Sequence, residues 1–356
     1  MRLNKLQQDM IEQEVNLGFI DKQIENNLIH YTYTREATEK RHWNASTLMC
    51  RGLIVDQRDL RIVAYPFDKF FNYEEHEKQD IDFLIQNHTY SVTEKLDGVL
   101  AISYYDENGS QKFCTRCGMN TEKSKFASLF FKEKYGDILL PKDTTFCFEM
   151  ISNQTYIQSV YDYSDMVVIG ARNLDNGLEY KYDELNTLCK KLGLRLVKYL
   201  PYNVTQCLEV QKTLAANQEG FVLHFDNGAK VKIKGDQYVK IGRIMRGFSD
   251  KRIAELWASG QWDAISLSGL PEEFVGQIQK KIEDLDKRLK ILHGQFAYCQ
   301  LMLDVSSNIF DKKDVAIFCE KRYISKPIKT LIFAHYDGKD TDAIAKSMIL
   351  KKYDKT

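Results

Sequence analysis

The sequence predicts a mixed α+β chain in two parts. A strand-rich domain built from antiparallel hairpins spans residues 1–242, and an all-helical domain spans 243–356. Three observations predict this. Between about residues 48 and 242, short apolar runs alternate with turn residues, the pattern of strands. After 242 the apolar residues recur at three- and four-residue steps, the pattern of helices. No Gly-x-Gly-x-x-Gly follows a strand and no Walker-type loop occurs, which sets aside the common parallel-sheet nucleotide folds.

In order along the chain, the first ~25 residues read as a helix on the spacing of Leu3, Leu6, Met10, Ile11 and Val15. Strands follow at 53–55, 90–92, 99–105, 146–148, 166–170, 220–225 and 229–233. Asp106-Glu107-Asn108-Gly109 and Asp226-Asn227-Gly228 are hairpin turns, because Asn-Gly tolerates positive φ. Helices fall between the strands at 121–135, 182–192 and 205–216. The last part reads as helices at 250–260, 271–293, 295–304, 312–320, 325–335 and 341–352. In the second of these Phe274, Ile278, Ile282, Leu285, Leu289 and Leu292 mark one apolar face.

At 356 residues the chain suits two domains of the usual ~100–200 residues each, and 44% hydrophobic residues suffice for full-sized cores. No apolar run approaches the ~18 residues of a membrane span, and the polar start lacks a signal peptide's apolar stretch. A soluble, intracellular protein is expected. Of the eight cysteines only Cys114 and Cys117 have metal-like spacing, and no second pair follows, so reduced thiols are expected rather than zinc. Fifty basic and fifty acidic residues cancel. That excludes a nucleic-acid coat acting by bulk charge, but leaves room for a local basic groove.

The chemistry centres on Glu94-Lys95-Leu96-Asp97-Gly98, between a short strand and a longer one. Alone, Lys95 reads as a solvent-facing lysine at a hairpin. Its companions change that: Arg51-Gly52 and Pro66-Phe67-Asp68-Lys69-Phe70-Phe71-Asn72 upstream, then Thr115-Arg116-Cys117-Gly118, Phe148-Glu149-Met150-Ile151-Ser152, Glu219-Gly220-Phe221-Val222 and Val231-Lys232-Ile233-Lys234. A lysine used as a nucleophile must shed its proton, although free lysine has a pKa near ~10.4. Desolvation and neighbouring cations ease that loss. Lys232 and Lys234 alternate along one strand and so share a face, from which they would act on Lys95 and on an anionic transition state.

In order and content these motifs resemble the covalent nucleotidyltransferases, the ATP-dependent ligases and capping enzymes, and within them the tRNA-repairing RNA ligase family of T-even bacteriophages. The resemblance covers about residues 30–242; beyond that it lies only in helical texture. It implies a ligase-type nucleotidyltransferase domain that uses ATP and Mg²⁺, with Mn²⁺ able to substitute. Lys95 would become lysyl-AMP, AMP would pass to an RNA 5′-phosphate, and a 3′-hydroxyl would expel it. By the same resemblance Lys232 and Lys234 assist catalysis, Arg51 and Lys69 touch the ATP phosphates, Arg116 lies at the phosphates or the RNA end, and Tyr33 belongs to the nucleotide site. Glu94 lies in the nucleotide site, Glu149 binds the ribose hydroxyl, and Val222 packs on the purine. Tyr238 lies by the nucleotide, Glu219 holds the metal, and Asp263 is a further metal candidate. The chain departs from the phage pattern at Leu96, where the family has an acid, and at Tyr156, where it has arginine. The expected partner is RNA with 5′-phosphate and 3′-OH ends, such as broken tRNA, handled by a monomer in the cytoplasm (a host's, if the chain is viral), with no membrane. The helical domain would recognise the RNA. Two other functions compete. A DNA ligase or capping guanylyltransferase would append an OB-fold, where this sequence turns helical. A non-catalytic RNA-end-binding protein would not need Lys95, Glu149, Glu219, Lys232 and Lys234 together.

Overall fold

A computed structural model describes residues 1–152, 159, 161–261, 272–306 and 311–353. Two compact units emerge, Met1–Val239 and Lys240–Thr356.

In the first unit, helix α1 (Lys5–Asn16) starts at an Asn4 capping box. The hairpin β1 (Ile20–Glu25) and β2 (Leu28–Tyr33) follows, then the short helices α2 (Arg35–Glu39) and α3 (Ala45–Met49) and strands β3 (Arg51–Asp56), β4 (Arg61–Ala64) and β5 (Phe71–Asn72). Helix α4 (Lys78–Asn87) leads to β6 (Tyr90–Lys95), β7 (Val99–Tyr105), β8 (Gln111–Thr115), α5 (Glu122–Tyr135), β9 (Thr144–Ile151) and β10 (Asp165–Asn173). Then come α6 (Tyr182–Leu192), β11 (Tyr199–Leu200), α7 (Val204–Val210), β12 (Gly220–Phe225), β13 (Lys230–Lys234) and α8 (Asp236–Gly247).

The strands form three sheets, ordered β1-β2-β3-β4, β10-β9-β7-β8 and β11-β6-β12-β13-β5. The first two share a core of Leu28, Ile54, Val63, Ala64, Ile102, Tyr104, Cys114 and Met119. The other face of the second sheet packs on α5 and α6 through Phe131, Phe146, Phe148, Met166, Leu185 and Cys189. The third sheet is backed by Ile81 of α4 and by Val204 and Cys207 of α7. Leu96, Ile151, Val167 and Val197 form a small cluster spanning the second and third sheets. The site described below lies along this junction.

The expected helix over residues 1–25 ends at Asn16, and residues 20–25 are a strand. Gly18, with φ +81°, reverses the chain there. The expected helix 205–216 stops at Val210. Asn108-Gly109 and Asn227-Gly228 do turn their hairpins, with φ +76° at Gly109 and +86° at Gly228.

In the second unit the described segments are helical: α9 (Asp250–Ala258), α10 (Glu272–Asp304), α11 (Lys312–Lys321), α12 (Lys326–Tyr336) and α13 (Thr341–Leu350). The two helices expected at 271–293 and 295–304 are one, which runs through Gly294. A single glycine weakens a helix by roughly 1 kcal/mol but does not stop it. Ile278 and Leu285 are buried, as the expected apolar face requires, and Leu289 and Leu292 pack against core clusters. Phe274 has no described side chain. Among the described residues, no helix is long and apolar enough to cross a membrane.

Candidate active site

The site is assembled by strand register. Gly220, first residue of β12, pairs with Lys95 at the end of β6 on one side and with Lys234 at the end of β13 on the other. Three strand ends therefore meet, and Glu219, the residue before Gly220, lies between the two lysines. Its Oε2 accepts from Lys95 Nζ at 2.6 Å, and its Oε1 pairs with Lys234 Nζ at 2.8 Å. Gly220 has φ +140°, and a Cβ there would lie 2.0 Å from the carbonyl oxygen of Ile233. Glycine is thus needed for the strands to close at this point. Burial pushes the Glu219 carboxyl up, but Lys95 and Lys234 outweigh it and hold the group below its ordinary value.

Immediately after Lys95 the chain turns at Asp97-Gly98. Tyr161 Oη accepts the Asp97 amide at 2.8 Å, and Asp97 Oδ2 accepts the Ser159 amide at 2.8 Å. Glu149, on β9, accepts the Gly98 amide at 2.9 Å. A Cβ on Gly98 would lie 2.5 Å from the Met150 carbonyl oxygen, so β7 approaches β9 closely only because residue 98 is glycine. Desolvation raises the Glu149 carboxyl to about 7 against the pull of Lys95.

A pocket opens beside Lys95. Val222, Leu100 and Ile169 supply apolar walls, and Thr93, Glu94, Glu149 and His224 supply polar ones. Ile169 reaches it through a β-bulge, since the β9–β10 register shifts between Val168 and Gly170. His224 Nε2 lies 3.0 Å from Thr93 Oγ1, and burial lowers its pKa to about 3, so it is a neutral, wall-forming imidazole. Burial also raises the Glu94 carboxyl.

At one side of the pocket stands a cationic wall. Arg51, first residue of β3, lies 5.4 and 5.6 Å from the rings of Phe67 and Phe70, and its Nη1 is buried with no hydrogen-bond partner among the described residues. β5 pairs in parallel with β13, matching Asn72 to Lys232, and so brings the Lys69 loop alongside. Lys69 Nζ sits 4.4 Å over Phe71 and 5.3 Å over Trp43 and donates to the Phe70 carbonyl at 3.2 Å. Burial lowers its pKa, and Arg51, Arg116 and Lys234 add to the effect against Glu75. Lys232 Nζ lies 5.4 Å over Phe70. Burial first, then Lys69, Lys95, Lys234 and Arg51, pull its pKa down to about 7. A phosphate chain would relieve each of these conditions: the unpaired Nη1, the desolvated amines and the mutual repulsion.

The sequence profile of the RNA ligase family matches residues 49–238, from just before Arg51 through Tyr238. The chain belongs to the RNA ligase family. Among its relatives, the RNA ligase of Rhodothermus phage RM378 is 23% identical over 375 aligned residues, covering 84% of this chain and 83% of that one. Among solved structures, an archaeal ATP-dependent RNA ligase shares 14% identity with a TM-score of 0.47, over 80% of this chain and 79% of that one. The Naegleria gruberi RNA ligase with PPi shares 17% with a TM-score of 0.41, over 51% of this chain and 60% of that one. This chain is thus an RNA ligase, an enzyme that joins RNA ends; lysyl-AMP chemistry is characteristic of its family.

Of the residues singled out from the ligase's sequence, Arg51, Glu94, Lys95, Glu149 and Val222 line the pocket together. Lys69, Lys232 and Lys234 stand next to them. Arg116 and Tyr33 form their own pair, with the guanidinium 4.7 Å over the ring and Nη1 donating to the Tyr33 carbonyl at 3.2 Å. Tyr238 lies in the first turn of α8, is buried, and hydrogen-bonds Asp97, with Lys234 Nζ 5.3 Å over its ring. Leu96 is buried in the small cluster between the sheets. Asp263 and Tyr156 lie outside the described residues. Cys114 is buried in β8 and Cys117 exposed beyond it.

Sequence reading missed several site residues. Phe67 and Phe70, quoted only as part of a motif, carry Arg51 and Lys232. Their signal was the density of phenylalanine around Lys69. Lys230, two residues before Lys232, is buried, lies 5.1 Å over Phe67 and ion-pairs with Glu179. Its signal was the same alternation that singled out Lys232 and Lys234. His224, which no sequence motif marks, is a pocket wall.

Proposed function

We propose that the pocket beside Lys95 takes the adenosine of ATP and that the Arg51–Lys69–Lys232 wall takes its phosphates. The single observation that carries this reading is the orphaned, buried Nη1 of Arg51 among desolvated lysines, next to a pocket that ends at a lysine amine. Val222, Leu100 and Ile169 would cover the faces of the purine, and Glu149 would meet a ribose hydroxyl. Lys95 Nζ must surrender the proton it now shares with Glu219 before it attacks the α-phosphorus. The new N–P bond forms as the bond to pyrophosphate breaks, and the cationic wall takes up the charge on the departing oxygens. Arg116 and Tyr33 would touch the outer phosphates or the RNA end. Tyr238 would act on the nucleotide through Asp97, whose loop it fastens behind Lys95.

Mg²⁺ is the cation we propose, with Mn²⁺ as a substitute. Among the described residues no three His, Cys, Asp or Glu side chains form a cage. Glu219 offers a single carboxylate in contact with Lys95, which suits an ion that keeps most of its waters and leans on substrate phosphates. Such a cation would supply charge neutralisation at the phosphates. The proposed substrate is RNA with a 5′-phosphate and a 3′-hydroxyl, such as a broken tRNA, recognised by the helical unit and sealed by a monomer.

The test is a parallel ligation assay with ATP and Mg²⁺ on 5′-phosphate RNA, 5′-phosphate DNA and nicked duplexes, including a cleaved anticodon stem–loop. Sealing of RNA ends, with the stem–loop preferred, is the expected result. Sealing confined to nicked DNA, or labelling by GTP and not by ATP, would overturn the reading in favour of a DNA ligase or a capping enzyme. RNA binding without any covalent nucleotide would point to an end-binding protein.

A further inference from the structure

The loop of residues 322–325, between α11 and α12, holds Tyr323 in an unfavourable state. The residue is 95% exposed and its φ is +52°. An L residue with a bulky side chain is disfavoured there, and an aromatic ring left in water gains nothing from burial. The other non-glycine residues with positive φ among the described ones are Asn26, Arg41 and Leu60. Asparagine tolerates this backbone, Leu60 packs against a core cluster, and arginine is at home in water. Tyr323 combines the strain with an unused aromatic face.

Its surroundings are cationic. Lys321, Arg322 and Lys326 are all exposed, and none has an ion-pair partner among the described residues. Glu320, the adjacent acid, is matched by Lys329 at 3.5 Å. The Arg322 guanidinium is steadied 4.7 Å from the ring of Phe318. A free aromatic face between uncompensated cations is what a single nucleic-acid strand uses, because it presents bases and phosphates in alternation. An acidic protein surface would satisfy the cations and leave the ring without a role.

We propose that this loop is a contact site for single-stranded RNA: Tyr323 stacks on an unpaired base while Lys321, Arg322 and Lys326 meet the flanking phosphates. The proposal rests on the reading that the helical unit recognises RNA, and it names the place where that happens.

The test uses the full chain and a 5′-phosphorylated RNA stem–loop with unpaired loop bases, at one fixed salt concentration. Tyr323→Ala should weaken binding by about 5- to 100-fold, the range for loss of one stacked base, and Tyr323→Trp should retain affinity. Tyr323→Asn should melt at or above the parent's temperature, since asparagine accepts the backbone, yet bind RNA as weakly as the alanine variant. A purely structural tyrosine would not show that opposition. With 5-iodouracil in the loop, photocrosslinks should map to Tyr323. Binding by Tyr323→Ala within twofold of the parent would overturn the proposal, as would crosslinks confined to other helices of the unit, although RNA recognition by that unit would then still stand. Crosslinks nowhere in residues 248–353 would remove both.

Discussion

Two parts of the same cationic face behave differently. β13 places Lys230, Lys232 and Lys234 on one side of the sheet at every second residue. The outer two have acidic partners: Lys230 pairs with the half-buried Glu179, and Lys234 shares the buried Glu219 with Lys95. Lys232 has no ion-pair partner among the described residues, and burial and its cationic neighbours take its pKa to about 7. Arg51 and Lys69 flank it in a similar condition, one with a buried unpaired nitrogen and one with a lowered pKa. The acid-paired lysines already have a counter-charge. Arg51, Lys69 and Lys232 have no ion-pair partner among the described residues, with Glu75 acting on the two lysines only at a distance, and an anion would satisfy all three. One strand therefore carries both acid-paired and unpaired lysines, and the placement of two glutamates separates them.

Mutation at the middle position should give the largest kinetic effect. Lys232→Ala is expected to slow self-adenylation by ~10²-fold or more, as loss of a preorganised charge does. It should leave the melting temperature unchanged or raised, because a desolvated, repelled cation is gone. Single-turnover formation of labelled protein from ATP, alongside a thermal melt, measures both. A variant that adenylates normally would place Lys232 outside the phosphate path.

Lys230→Ala should show the opposite pattern. Breaking its buried pair with Glu179 is expected to cost about 2 kcal/mol, below the usual ~3–5 because Arg172 still holds Glu179 at 2.8 Å. Adenylation should fall less than for Lys232→Ala. Denaturant unfolding decides it, and equal kinetic losses for the two variants would erase the distinction.

Glu149→Gln sharpens the comparison from the acid side. The folded carboxyl is raised to about 7 from an ordinary 4.5. Its burial therefore favours folding most below about 4.5, and that benefit disappears as pH rises through 7. The glutamine variant should gain stability over the parent as pH rises between those limits, reaching roughly 3 kcal/mol by pH 8, while adenylation falls. An unchanged pH profile would mean that Glu149 is not desolvated as the structure has it.

The smallest effect is a proton count. At pH 8 a lysine with a pKa near 7 is mostly neutral, and a bound polyphosphate favours its charged form. Binding of a non-cleavable α,β-methylene ATP analogue should therefore take up less than one proton, and Lys232→Ala should abolish the uptake. Calorimetry in buffers of different ionisation enthalpy reads this directly.

Much of this was legible in the sequence. The Asn-Gly turns, the helix at 182–192 and the strand of alternating lysines follow from local rules, and each stands where those rules put it. The motif residues from Arg51 to Tyr238 also fall together around one pocket or beside it. Local rules failed where tertiary context decides. Residues 20–25 were absorbed into a helix because the helical apolar spacing was carried past Gly18, although the β-branched and aromatic residues of β2 beyond the Asn26-Asn27 turn mark a hairpin. Which lysine of the alternating set would be desolvated depends on Glu179 and Glu219, and sequence spacing does not reveal the first of these as a partner. The roles of Ile169 and His224 arise from a bulge and a cross-strand neighbour, neither of which leaves a motif.

The most direct test is to find the covalent nucleotide. The full-length protein, incubated with ATP and Mg²⁺ and then digested, should yield one peptide bearing AMP in acid-labile phosphoramidate linkage at Lys95, and Lys95→Ala should yield none. AMP on Lys232, Lys234 or any other residue of the parent protein, or undiminished adenylation of Lys95→Ala, would contradict the account.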